Sequence, residues 1–147
     1  MKEFFIELFE YGSHYNQILG QYIIEHEKEI PKRSRELFCH ILTAHNIWNN
    51  RITGEVSNHG VWEKLDSKIF NILDNQNLTE TLTIIHNADL LTPIYYLNSK
   101  RVEYENTVKD ILFHVVNHST YHRGQIAMDF RNHKIQPLVT DYIAFKR

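Results

Sequence analysis

The sequence has a single cysteine, three prolines and five glycines among its 147 residues. With only Cys39, no internal disulfide can form, which fits a reducing compartment. No apolar run approaches the roughly 20 residues that a membrane-spanning helix needs. The N-terminus also lacks the charged-then-apolar-then-small pattern of a secretory signal, so a cytoplasmic protein without a membrane partner is expected. Charge of one sign is not massed anywhere either: 16 lysines and arginines face 18 acidic residues, for a formal net charge of −2. Without a basic face there is no electrostatic footprint for a phosphate backbone, and nucleic-acid binding is not expected.

What is present reads as a soluble globular chain. Hydrophobic residues make up 42% and charged residues 23%, which excludes disordered and fibrous classes. The length suits one domain, residues 1–147, around one continuous core.

Apolar residues at three- and four-residue steps, Phe5, Leu8, Phe9, Tyr15, Ile18, Leu19, Tyr22 and Ile23, predict a first helix from Lys2 to about Lys28, ended before Pro31. Ser34 precedes a second helix, whose stripe of Leu37, Ile41, Ala44, Trp48 and Ile52 stops at Gly54. The polar segment Glu55 to Ser67 reads as a connection that resumes helix near Trp62. A third helix is expected from about Asp66 to Leu91, broken around the Asn-rich stretch at Asp74 to Asn77. "IYYLNSKRVEY" alternates around Asn98 and Ser99 and predicts a small β-hairpin from Ile94 to Tyr104. Asn106 or Thr107 caps the last helix, with Asp110 placed to close a capping box on Thr107, and that helix runs to about Asn132. Short links between four helices predict an all-α fold, an antiparallel four-helix bundle with a hairpin before the last long helix.

Histidine is the unusual residue: there are ten, and they cluster. In "HVVNHSTYHRGQ", from His114 to Gln125, three of them stand four residues apart. Each step of four turns a helix by about 40°, so His114, His118 and His122 climb one face, shared by Tyr121, Gln125 and Asp129. Leu112, Val116, Ala127 and Phe130 lie opposite, so the polar stripe is expected to be internal. Buried imidazoles without partners cost about 1–3 kcal/mol each, a problem that a metal ion removes. Histidines at i and i+4 aim at one point, as His118 with His122 do, and His114 with His118. Ser119 stands where a zinc protease carries its catalytic glutamate, which argues against that class. A third ligand must come from the second helix, where His40 and His45 flank the apolar stripe about equally, and periodicity does not choose between them. Three histidines without a fourth ligand leave a position for water or substrate, as in catalytic rather than structural zinc sites.

The segments "HVVNHSTYHRGQI" and "HILTAHNIWNNRI" resemble the DinB/YfiT-like family, the damage-inducible-protein group of metal-dependent four-helix proteins. The resemblance covers nearly the whole chain. It implies metal ligands at His118 and His122, and at His40, because Trp48 follows eight residues on as in the family pattern. His45 stands where the family often carries glutamate. Weaker matches are "YGSHYNQ", with Tyr11 and Asn16 but His14 in place of tryptophan, and "PLVTDYIAF". The family implies a divalent metal, often a homodimer, and in some relatives transfer chemistry with thiols such as bacillithiol, mycothiol or glutathione.

The leading expectation is therefore an enzyme in which a metal at His40, His118 and His122 activates a small-molecule thiol or water, in concrete form a thiol S-transferase acting on an electrophile. Three imidazoles suit Zn, Ni, Fe or Cu. Gln125, Asp129, Tyr121 or Asn117 are candidates to orient the ligand rings. Arg123 points away from the stripe, toward an ion pair with a neighbouring helix; Gly124 permits close helix approach; Cys39 is a small core or interface residue. The alternatives are a metal-binding stress protein without turnover and a purely structural polar core of histidines.

Overall fold

The computed structural model describes residues 1–98 and 100–147. It is mostly helical, with 66% of residues in helices, and carries one two-stranded antiparallel sheet. Four long helices account for most of it: α1 (Lys2–Glu25), α2 (Lys32–Thr53), α3 (Phe70–Asn87) and α4 (Val108–Asn132). Each packs on two others, α1 and α2 both contacting α3 and α4, an arrangement compatible with a four-helix bundle.

Helix α1 buries Phe5, Phe9, Ser13, Asn16, Leu19 and Ile23, the three- and four-residue spacing of one face. Helix α2 begins at Lys32, so Ser34 is not its cap. It lies inside the first turn, and its hydroxyl donates to Asp129 Oδ2 on α4 at 2.6 Å. The far end of α2 closes on Gly54, whose φ of +80° is the left-handed cap that glycine adopts without strain.

The connection from Glu55 does not resume helix near Trp62, and a 3-10 turn (Ser67–Ile69) leads into α3. Helix α3 is unbroken across Asp74–Asn77. Asp74 and Asn77 are buried and hydrogen-bonded, so a stretch that reads as a break is the helix's inner face. The helix ends at Asn87, short of Leu91.

Strands β1 (Pro93–Leu97) and β2 (Glu103–Thr107) pair Tyr96 with Tyr104 and Ile94 with Asn106. The hairpin thus extends three residues past Tyr104; its turn residue Ser99 lies outside the described residues. The Thr107–Asp110 capping box forms as expected, and Val108 N–H and Lys109 N–H donate to the Thr92 and Leu90 carbonyls. The C-terminal turn α5 (Tyr142–Phe145) folds back on α1, where Tyr11 donates to the Thr140 carbonyl at 2.7 Å and Lys146 pairs with Glu7 at 2.8 Å.

The core has two apolar ends. Leu19, Ile23, Phe38, Leu42, Phe70 and Phe130 belong to one; Phe5, Phe9, Ile85, Val108, Leu112 and Val115 belong to the other. Along every long helix the positions between them are polar: Ser13 and Asn16, His45 and Asn49, Asp74, Asn77 and Thr81, Ser119 and Arg123, all buried.

Candidate metal centre

The site sits at the edge of this polar layer. On α4 the buried face is centred on Ile111, Val115, Ser119, Arg123 and Ile126 rather than opposite the histidine stripe. The stripe is consequently not internal as a whole: His114 and Tyr121 are exposed, His118 is half-buried, and His122 alone of the three histidines is buried.

Helix α2 brings His40 to His118 and His122 and carries His45 elsewhere. His40 Nε2 lies 3.1 Å from His118 Nε2, and His122 Nε2 lies 3.0 Å from the same atom. Among the described residues these three form the one group of histidine, cysteine or carboxylate side chains that can hold a metal ion. His45 is buried instead beside Phe9 and meets Thr81 Oγ1 at 2.7 Å, so it is outside the group.

Hydrogen bonds at the far side of two rings decide what the group is. His40 Nδ1 donates to the Val61 carbonyl at 2.8 Å. A carbonyl only accepts, so Nδ1 carries the proton and Nε2 presents a lone pair. His122 Nδ1 donates to Gln125 Oε1 at 2.7 Å, which leaves its Nε2 in the same state. Both lone pairs are aimed at His118 Nε2, and one N–H there satisfies only one of them. Burial, with the adjoining His122, His40 and His114 rings, lowers the His118 pKa to about 3, and burial also lowers that of His40 against the opposing pull of the Val61 bond. Two acceptor nitrogens converging on one nitrogen of His118, at 3.1 and 3.0 Å, are held together unfavourably. A cation at their centre would turn the conflict into ligation. Three nitrogens on a tetrahedral ion at about 2.0–2.1 Å stand about 3.3 Å apart. The two separations from His118 Nε2, 3.0 and 3.1 Å, are within a few tenths of an ångström of that, and the ligand atoms of all three rings lie within 4.8 Å of one another.

Of the expected orienting residues, Gln125 holds His122. Asp129 is occupied by Ser34, and Tyr121 lies edge-on to His122 with ring centroids 5.3 Å apart. The Val61 carbonyl has no counterpart in the sequence reading, because a backbone acceptor carries no residue signature. Thr43 Oγ1 donates to the same oxygen at 3.0 Å. The connection that supplies it is pinned further by Ser57 to Asn46 Oδ1 at 2.8 Å and by Glu63, which accepts from the Gly60 N–H at 3.0 Å and sits 3.1 Å from His59 Nδ1. Trp62 lies flat on His40, with centroids 3.9 Å and planes 9° apart.

His114 packs between His118 and Trp48, at 5.3 and 4.9 Å. Beside it opens a cavity of about 220 Å³ lined by Trp48, Tyr96, Asn106, Asp110, Ile111 and His114. Arg123 points inward, and among the described residues it forms no ion pair with a neighbouring helix, contrary to expectation. It donates to Asn16 Oδ1 at 3.3 Å and stacks over Tyr11 at 5.1 Å. Gly124 faces open space, so the chain itself makes no close helix approach there. Cys39 is buried in the apolar core, and burial raises its thiol pKa, away from nucleophilic use.

This arrangement, three helical histidines on two facing helices, meets an independent match. The DinB family model covers residues 19–147, and the chain belongs to the DinB family. No curated protein matches the chain. No helix of the described residues is long and apolar enough to cross a membrane.

Proposed function

We propose that His40, His118 and His122 bind a divalent metal ion through Nε2 and that the site activates a low-molecular-weight thiol, or water, for transfer to an electrophile. The observation that carries this is the fixed proton placement: Val61 and Gln125 commit two rings to present lone pairs at one point. A divalent ion there supplies a Lewis acid beside which a thiol or water loses its proton near neutral pH. The chain's own part is to orient the imidazoles and, by burial, to favour the neutral form of His40 and His118. No acidic side chain joins the group to act as a base, and the cavity beside His114 offers room for a small substrate. The bundle architecture and the homodimer belong to the same proposal, the latter tested by sedimentation equilibrium.

The test is to express the untagged chain, load it with Zn²⁺ or Ni²⁺, measure bound metal, and assay conjugation of small thiols to an aryl halide. One metal per chain, lost in His118→Ala together with conjugation, is the expected result. One metal without thiol chemistry in the wild type turns the reading to a binding protein without turnover. Metal content below about one-tenth per chain after loading, with no rise in melting temperature, sinks both.

A further inference from the structure

Trp62 does more than cover a ligand ring. It stands on a connection without regular structure, yet its placement is fixed from both sides: Val61 is tied to His40 and Thr43, and Glu63 closes a tight turn onto Gly60 and His59. Two residues further on, Leu65 is buried in the core. One face of the indole is spent on His40, and its centroid is 6.5 Å from that of His122. The residue is nevertheless 61% exposed, so the indole surface not covered by His40 is largely held open beside the histidine group. A lone exposed apolar residue needs no explanation. A rigidly placed indole with one free face next to a candidate metal centre is different, because stacking requires a platform that does not move.

The rim is aromatic on the other flank as well. Tyr121, 62% exposed, lies against His122, and no carboxylate belongs to the cluster. The face of an indole is electron-rich, so its preferred neighbour is a planar ring poor in electrons. We infer that Trp62 is a specificity-determining residue: a stacking platform for a planar, electron-poor aromatic group of the molecule that reaches the His40–His118–His122 site. This rests on the proposed function for where the ligand sits; the aromatic selectivity is independent of whether turnover occurs.

The experiment uses the full chain in a Trp48→Phe background, so that Trp62 is the one tryptophan, loaded with Co²⁺. Three thiols serve as probes: pentafluorobenzenethiol, benzenethiol and cyclohexanethiol. Binding is followed by the sulfur-to-cobalt charge-transfer band and by quenching of Trp62 emission. Trp62→Leu keeps an apolar cover on His40 but has no π face, and Trp62→Phe keeps one. Replacement by Leu is expected to weaken both aryl thiols about five- to tenfold, the fluorinated one most, while cyclohexanethiol changes less than about twofold. The Phe variant retains most of the aryl preference. Equal weakening of all three probes, or none, overturns the inference, as does absence of saturable Trp62 quenching by the aryl thiols. If no thiol gives a charge-transfer band but aryl probes still quench Trp62 saturably and cyclohexanethiol does not, the platform stands and thiol ligation is what fails. Cobalt content equal in wild type and Trp62→Leu shows that the effect is on the ligand rather than on the metal.

Discussion

Two sets of histidines in this molecule obey opposite rules. In the buried polar layer, His45 Nε2 donates to Thr81 Oγ1, Thr81 donates to Asn49 Oδ1 at 2.9 Å, and Asn49 donates to the Asn77 carbonyl at 3.0 Å. Nearby, Asp74 accepts from Ser13 at 2.5 Å and from Asn16 at 2.8 Å, and Asn16 in turn accepts from Arg123. Each of these bonds has a donor at one end and an acceptor at the other. At the rim, His40 and His122 are fixed so that two acceptors converge on one nitrogen of His118. The hydrogen-bonded polar layer includes one histidine, His45, among Thr, Asn, Asp, Ser and Arg side chains rather than among other histidines. The difference between the sets is not burial, since His40 and His45 are about equally enclosed, at 6% and 7% exposure. It is whether each contact pairs a donor with an acceptor, although the polar layer also leaves Asn77 Oδ1 and Arg123 Nε without partners.

The comparison can be broken by substitution. The largest effect is expected from Asp74→Ala, which strands Ser13, Asn16 and the Arg123 charge in a closed interior. A loss of about 3–5 kcal/mol in urea unfolding is predicted. Next comes metal. At a hundredfold excess over its dissociation constant, an ion stabilises the fold by about 2.7 kcal/mol. The rise in melting temperature should vanish in His40→Ala and His118→Ala and persist in His45→Gln. If His45→Gln abolishes it too, the division between the two sets is wrong.

His45→Ala should cost about 1–3 kcal/mol without metal, because it removes a buried donor and opens space. The same residue gives a pH signature. Burial holds its folded pKa at about 3, against about 6.5 when unfolded. Between those values the unfolded chain takes up a proton that the native one does not, so stability is full above pH 6.5 and falls as pH drops toward 3. Denaturation midpoints measured across that range should slope less steeply in His45→Gln. The smallest effect sharpens the contrast most: in metal-free protein His118→Ala should change stability by less than about 0.5 kcal/mol, since the contact it removes is one of conflict. A loss like that of His45→Ala would show that the rim set is hydrogen-bonded after all.

The sequence was legible wherever local chemistry decides. Helical spacing predicted all four long helices, the Thr107–Asp110 pair announced the start of α4, and the i, i+4 spacing put His118 and His122 on one point, although it paired His114 with His118 equally well. It was misleading where polar residues face inward. Asp74 to Asn77 looked like a break because asparagine and aspartate favour turns, but their partners Ser13, Asn16, Leu42 and Asn49 lie on other helices. His40 and His45 could not be separated by periodicity, since both flank the buried stripe. The packing of α2 on α4 separates them in space. The Val61 carbonyl and the place of Trp62 were illegible for a simpler reason: both depend on the path of an irregular connection.

That connection also bears on how the site meets an ion. The Val61 oxygen receives two donors, and the imidazole it holds is covered by an indole, so His40 can neither swing out nor turn over without breaking tertiary contacts. Rotamer entropy that an exposed histidine would surrender on coordination has already been lost during folding. A centre built this way would take up an incoming ion with little rearrangement of His40. It would therefore tell ions apart by the coordination shape they demand rather than by adapting to each.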